Sequence, residues 1–172
     1  MRAWTGEVAS GRYRVAIHET ALAGMDRLCA SSGQLETGGI LLGYYADDGS
    51  VAVVQEATAP PNDSGRGSSW FRRGVAGLRE ELARRWREPK RTFYVGEWHF
   101  HPAASVVPSP QDFAQMRHIA SSARYHCREP LLIIVGREVL RGSRALRAFV
   151  CPVGESPMEF ERTRPSLTGE KS

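Results

Sequence analysis

Cysteine is scarce in this sequence and poorly placed for cross-linking. Cys29, Cys127 and Cys151 are far apart and form no CxxC pair. That excludes a disulfide framework that uses every thiol, and any cysteine-based zinc knuckle. Free cysteine is among the most buried residue types, so the three are expected as small core hydrophobes in a reducing compartment. Long apolar runs are also missing, and nothing approaches the roughly 20 residues that a membrane helix needs. The opening stretch MRAWTGEVASGRYRV lacks the apolar central region, about 7–15 residues long, of a secretory signal. A cytoplasmic location is therefore expected. Neither internal repeats nor a dividing linker occurs, and 172 residues suffice for one domain that encloses a core without staples.

Charge excludes less. The formal net charge of +4 invites a nucleic-acid reading. Yet the basic residues are densest in FRRGVAGLREELARRWREPKR (71–91), where Glu80, Glu81 and Glu88 interleave with them. An alternating-sign helix face is ordinarily a solvated surface, which argues against nucleic-acid binding and accommodates an acidic partner protein equally well.

Periodicity supplies the elements. RYRVAIHE (12–19) alternates as a strand, and Ala21, Leu22, Met25, Leu28 and Cys29 mark a helix over 20–32 with Thr20 able to cap it. Residues 36–46 and 50–59 read as a hairpin turning at Asp47, Asp48 and Gly49, followed by a loop over 60–69. Val75, Leu78, Leu82 and Trp86 predict a helix of about 72–88 that Pro89 ends. A strand over 91–100, a helix over 110–124 and strands over 130–140 and 144–153 complete the pattern. The order describes an α/β domain, a mixed sheet with helices against it, over 1–154, with a polar, partly ordered tail over 155–172.

The chemistry concentrates in GEWHFHPAASVVPSPQD (96–112). In a strand, residues two apart point to the same side, so His99 and His101 can offer two imidazoles to one ion. His-Pro at 101–102 then stops the strand, and Asp112 falls in the first turn of the next helix, where the dipole favours a carboxylate. Ser109-x-x-Asp112 with Pro110 also reads as an ordinary capping box. Two nitrogens and one carboxylate oxygen are the ligand set of a catalytic zinc site with its fourth position open, although other divalent ions accept the same donors. A hydrolase built on it needs a general base and a donor for the developing oxyanion. Ser109 can supply a hydroxyl, and the base has to come from elsewhere in the chain.

HFHPAASVVPSPQD resembles the JAMM motif of the MPN-plus metalloproteases: His-x-His, seven residues, Ser, two residues, Asp. LETGGILLGY resembles the family's upstream glutamate at the head of a strand, followed by small residues, and ETGGILLG with GEWHFHP is similar to the bacterial branch called Prok-JAB. The resemblance spans roughly residues 12–150. It implies a cytidine-deaminase-like α/β/α sandwich, the JAB/MPN fold, with His99, His101 and Asp112 as ligands of one zinc ion per chain. It implies Glu36 as general acid/base and Ser109 as the residue that helps hold the water and stabilise the tetrahedral intermediate. Phe100 stands where the family commonly has Ser or Thr, and by alternation it faces away from the metal.

The activity implied is hydrolysis of the amide after the C-terminal tail of a ubiquitin-like protein, in deconjugation or tail maturation, as in bacterial conjugation or anti-phage systems. The partners implied are that protein and its conjugation target, met without a membrane. Release of an amino acid or small adduct from a sulfur-carrier protein fits the same motif, and a metal-stabilised scaffold without turnover is the non-enzymatic alternative. Arg66, Arg72 and Arg73, in the segment 60–73, are candidates to meet acidic groups on the partner. Trp98 is expected as a packing residue and Glu97 as a solvated or pairing group. His18, His118 and His126 lie outside the motif. A zinc deaminase would need H-x-E and P-C-x-x-C, and the sequence has neither.

Overall fold

A computed structural model describes residues 4–46, 49–103 and 105–163. Its strands are β1 (Trp4–Glu7), β2 (Arg14–Ile17), β3 (Thr37–Ala46), β4 (Val51–Ala57), β5 (Gly65–Arg66), β6 (Phe71–Arg72), β7 (Phe93–His101), β8 (Leu131–Leu140), β9 (Ser143–Val150), β10 (Met158–Glu159) and β11 (Glu161–Thr163). The helices are α1 (Glu19–Ser32), α2 (Leu78–Arg87) and α3 (Pro110–Ser121). Nine strands form one mixed sheet in the order β10-β9-β8-β7-β3-β4-β2-β1-β11, and β5 and β6 pair as a separate hairpin. Among the described residues only the β2–β4 and β7–β8 pairs are parallel. Among the described residues no helix is long and apolar enough to cross a membrane.

Strand alternation divides the core between the two faces of this sheet. On one face Trp98 and Phe100 of β7 and Ile133 and Val135 of β8 pack with Ala21, Met25 and Cys29 of α1. On the other, Ile40 and Leu42 of β3 and Leu132 and Ile134 of β8 pack with Met116 and Ile119 of α3, and Leu78 and Leu82 of α2 close over that side. The result is an α/β/α sandwich. α3 is the crossover between the adjacent parallel strands β7 and β8, so its N-terminus lies just beyond the carboxyl end of β7. In parallel α/β units that crevice is where ligands bind.

Several local expectations shift, each for a physical reason. β1 has only four residues and shows no resolvable period. α1 is capped by His18 Nδ1, which accepts from the Thr20 amide, while Thr20 Oγ1 donates to the Gln55 carbonyl. α2 begins at Leu78 rather than near 72. The Asp63 carboxylate accepts the Val75 and Ala76 amides, and Gly77 adopts left-handed φ, so residues 74–77 stay in a loop. The composition-based loop over 60–69 contains β5 and leads directly into β6. The turn residues Asp47 and Asp48 lie outside the described residues, although Ala46 pairs with Val51 as the hairpin requires. Beyond residue 154, where the sequence has no pattern, β10 and β11 flank a buried Phe160 and pair with β9 and β1. One apolar residue between two short strands leaves no periodic signal. Residues 164–172 of the expected tail lie outside the described residues. Cys29, Cys127 and Cys151 are free and buried.

Met116 and Ile119 are fully buried and seat α3 on the sheet. Met116→Ala is expected to cost about 2–5 kcal/mol, as large-to-small core substitutions do. Urea unfolding should show a lower midpoint at unchanged m-value.

Candidate metal centre

β7 carries Glu97, His99 and His101 on the α3 side of the sheet, alternating with Trp98 and Phe100 in the core opposite. Trp98 donates its indole N–H to the Thr58 carbonyl at 3.0 Å. Across β3 the register pairs Gly38 with His99 and Thr37 with Phe100. Glu36 directly precedes Thr37, so it stands at the head of β3 next to the end of β7 that carries His101. Its backbone amide donates to the Gly67 carbonyl at 2.8 Å, which ties it to the β5–β6 hairpin. Gly38 has to be glycine here. A Cβ on it would lie 2.3 Å from the Trp98 carbonyl oxygen and 2.9 Å from Cδ2 of His99.

α3 delivers the third group. Ser109 is its N-cap: its hydroxyl accepts from the Asp112 amide at 3.1 Å, and its own amide donates to Asp112 Oδ2 at 2.6 Å. The capping-box reading of SPQD is thus correct, and the same box aims Asp112 at the strand. Asp112 Oδ1 lies 2.7 Å from His99 Nδ1, and Oδ2 lies 3.7 Å from His101 Nε2. One donor atom from each of His99, His101 and Asp112 falls within 4.8 Å of the others, and all three side chains are buried. Two imidazoles and a carboxylate at this spacing fit a divalent metal ion.

The surroundings set the charges. Burial pushes the Asp112 pKa up, but the His99 hydrogen bond, the His99 charge and the Ser109 bonds outweigh it and hold it at about 2. Burial pushes His99 down, but Asp112 and Glu97 outweigh that and raise it to about 9. His101 is lowered, first by burial, so its ring is neutral at pH 7. Glu36 is raised, first by burial and then by the negative charge of Asp112. A carboxyl raised in this way suits a proton acceptor better than an ordinary surface glutamate does.

Of the sequence-derived site residues, the structure gathers His99, His101 and Asp112 in one cluster, with Ser109 bonded to Asp112 and Glu36 coupled to it by charge. His118 and His126 are exposed, and His18 serves as a helix cap. Of the two alternatives for Glu97 the structure has pairing, in a fully buried position. One expectation is corrected: the Arg73 side chain, offered to a partner, is instead buried against Glu97 at 2.7 Å. Arg66 and Arg72 are exposed. Phe71, which sequence reasoning passed over, packs edge-on against His99 with ring centroids 5.3 Å apart. The available signal for Glu97 was its alternation with 99 and 101 on one strand face. None marked Arg73 or Phe71, which approach from a different element.

Residues 18–150 match the family model described as prokaryotic homologs of the JAB domain. A protein of Enterobacter hormaechei named CD-NTase/cGAS isopeptidase is 44% identical over 148 residues, covering 86% of this chain and 81% of that protein. One of the same name from Pseudomonas aeruginosa is 33% identical, over 64% of this chain and 69% of that protein. A probable metalloprotease of Sinorhizobium fredii is 32% identical, over 59% of this chain and 62% of that protein. A solution structure of a Desulfitobacterium hafniense protein aligns over 81% of this chain and 86% of its own with a TM-score of 0.53 at 17% identity, a likeness of fold.

Metal binding should release one proton. His99 keeps its proton up to about pH 9, whereas Asp112 is already ionised and His101 already neutral at pH 7. Apparent affinity should therefore rise about tenfold per pH unit between pH 7 and 9 and level off above, since a metal competes with the proton for its ligand. Calorimetry in buffers of different ionisation enthalpy measures both the slope and the proton count.

Proposed function

Because this chain belongs to the prokaryotic JAB-domain family, we propose that it is a zinc-dependent isopeptidase that cleaves the amide bond after the C-terminal tail of a ubiquitin-like protein. The observation that carries the reading is the buried cluster of His99, His101 and Asp112 within 4.8 Å, with Glu36 at the head of the neighbouring strand. The relatives named CD-NTase/cGAS isopeptidases favour deconjugation from a target that is a CD-NTase.

His99, His101 and Asp112 would hold the ion. When bound, it supplies Lewis acidity toward a water molecule and an amide carbonyl. Glu36, with its raised affinity for protons, takes the proton from the attacking water and returns it to the leaving amine. The Ser109 hydroxyl accepts from the Asp112 amide, which leaves its own proton available. Its role is to donate that proton as a hydrogen bond to the oxygen that becomes negative in the tetrahedral intermediate. Burial of the cluster excludes bulk water and strengthens both interactions.

Substrate engagement follows from the neighbouring segments. Leu35, Trp70 and Val107 are exposed apolar side chains on the segments that lead into Glu36, β6 and Ser109 respectively. Together with the β5–β6 hairpin they suit an extended tail that contributes main-chain hydrogen bonds and a few apolar side chains. Exposed Arg66 and Arg72 on that hairpin add attraction for an acidic partner surface.

Glu36→Gln should bind zinc as the wild type does, unfold at the same temperature, and lose cleavage of a ubiquitin-like tail fusion by roughly 10²–10⁴-fold, the usual contribution of a general acid/base. Wild-type rates in this variant, or cleavage by the wild type that survives exhaustive chelation, would overturn the assignment. Ser109→Ala should lower kcat by about 10²–10³-fold. It should also destabilise the fold by about 1 kcal/mol through the lost cap, separable by thermal unfolding.

A further inference from the structure

Glu97 is a fully buried carboxylate outside the proposed ligand set, and its two oxygens have unequal surroundings. Oε1 accepts from Arg73 Nε at 2.7 Å and from the Tyr94 hydroxyl at 3.3 Å. Arg73 is itself immobilised: Nη2 donates to the Tyr125 hydroxyl at 2.8 Å and Nη1 to the Gly74 carbonyl at 2.7 Å. Oε2 makes no hydrogen bond among the described residues and is sealed from solvent. The group it faces is Nε2 of His99, at 3.7 Å. The opposite ring nitrogen, Nδ1, is the one beside Asp112.

A buried ion pair is a weak source of stability, since apolar residues of the same volume commonly do as well or better. This pair therefore calls for another reason, and its geometry offers one. The His99 ring lies between two carboxylates, with Phe71 against its edge and no side chain on Gly38 to crowd it. Metal-bound histidines regularly give their second N–H to a carboxylate that fixes tautomer and ring orientation.

We propose that Glu97, anchored by Arg73, is a positioning residue for His99: Oε2 faces Nε2 at 3.7 Å and, on a small closing movement of the ring, accepts a hydrogen bond from Nε2–H, which leaves the Nδ1 lone pair directed at His101 and Asp112. Arg73 saturates Oε1, so Oε2 is the oxygen left for the histidine. Arg73 directly follows β6, so the same pair couples the β5–β6 hairpin to the ring. This rests on the metal-site reading above and extends it to a residue two positions before the first ligand.

The test uses the full chain and zinc, with affinity measured by competition against a chromophoric chelator. In Glu97→Gln the Arg73 donors select the amide oxygen and turn the amide NH₂ toward His99 Nε2. That favours the tautomer whose proton sits on Nδ1. Zinc affinity should fall about 10–100-fold. Independently, long-range proton–nitrogen spectra of the zinc-loaded wild type should place the His99 proton on Nε2. A Glu97→Gln affinity within about twofold of wild type overturns the proposal, because it lies below the usual range for such partners. A wild-type proton on Nδ1 overturns it equally. If the variant does not fold, the wild-type spectrum decides alone. Wild-type protein that binds no zinc would defeat the metal-site reading itself, and so is distinguishable from failure of the positioning role.

Discussion

Ionisable groups cluster in the interior beside one strand, and the structure depends on how they are paired there. Glu36, Glu97, His99, His101 and Asp112 are all buried, and an unpaired buried charge costs several kcal/mol. The chain answers with shared partners. Asp112 divides its oxygens between an imidazole and the amide of the helix cap. Glu97 takes a guanidinium from the segment after β6. Each pairing joins two elements, so β7, α3 and the β5–β6 hairpin hold one another in register. A protein selected for stability alone would have filled this volume with apolar side chains.

The same strand builds the core and the site because its side chains alternate. Trp98 and Phe100 face α1 while the intervening His99 and the following His101 face α3. The core on one face thereby fixes the pitch of the imidazoles on the other. At α3 the economy is similar. Ser109 and Asp112 satisfy orphan amides at a helix start, as such residues do in any protein. Here the aspartate that closes the box also reaches His99. Helix cap and ligand are one residue in two roles, and the cap is the means by which the ligand is aimed.

Much of this was legible beforehand. The strand-helix order, the division of faces and the gathering of His99, His101 and Asp112 follow from periodicity two, periodicity 3.6 and the spacing of a short motif. What failed has a common cause. His18 replacing Thr20 as cap, the late start of α2 and the strands around Phe160 all depend on partners distant in sequence, such as Gln55, Asp63 or β1 and β9.

The linear order of residues determined which groups can share a strand face and which open a helix, because backbone geometry repeats locally. It thereby set the two imidazoles and the helical aspartate without reference to the rest of the chain. Only the folded arrangement decided that Glu97 and Arg73 are buried together rather than solvated. A charge's environment is set by what packs around it, and here the packing residues come from segments 24 and 52 positions from Arg73, namely those of Glu97 and Tyr125.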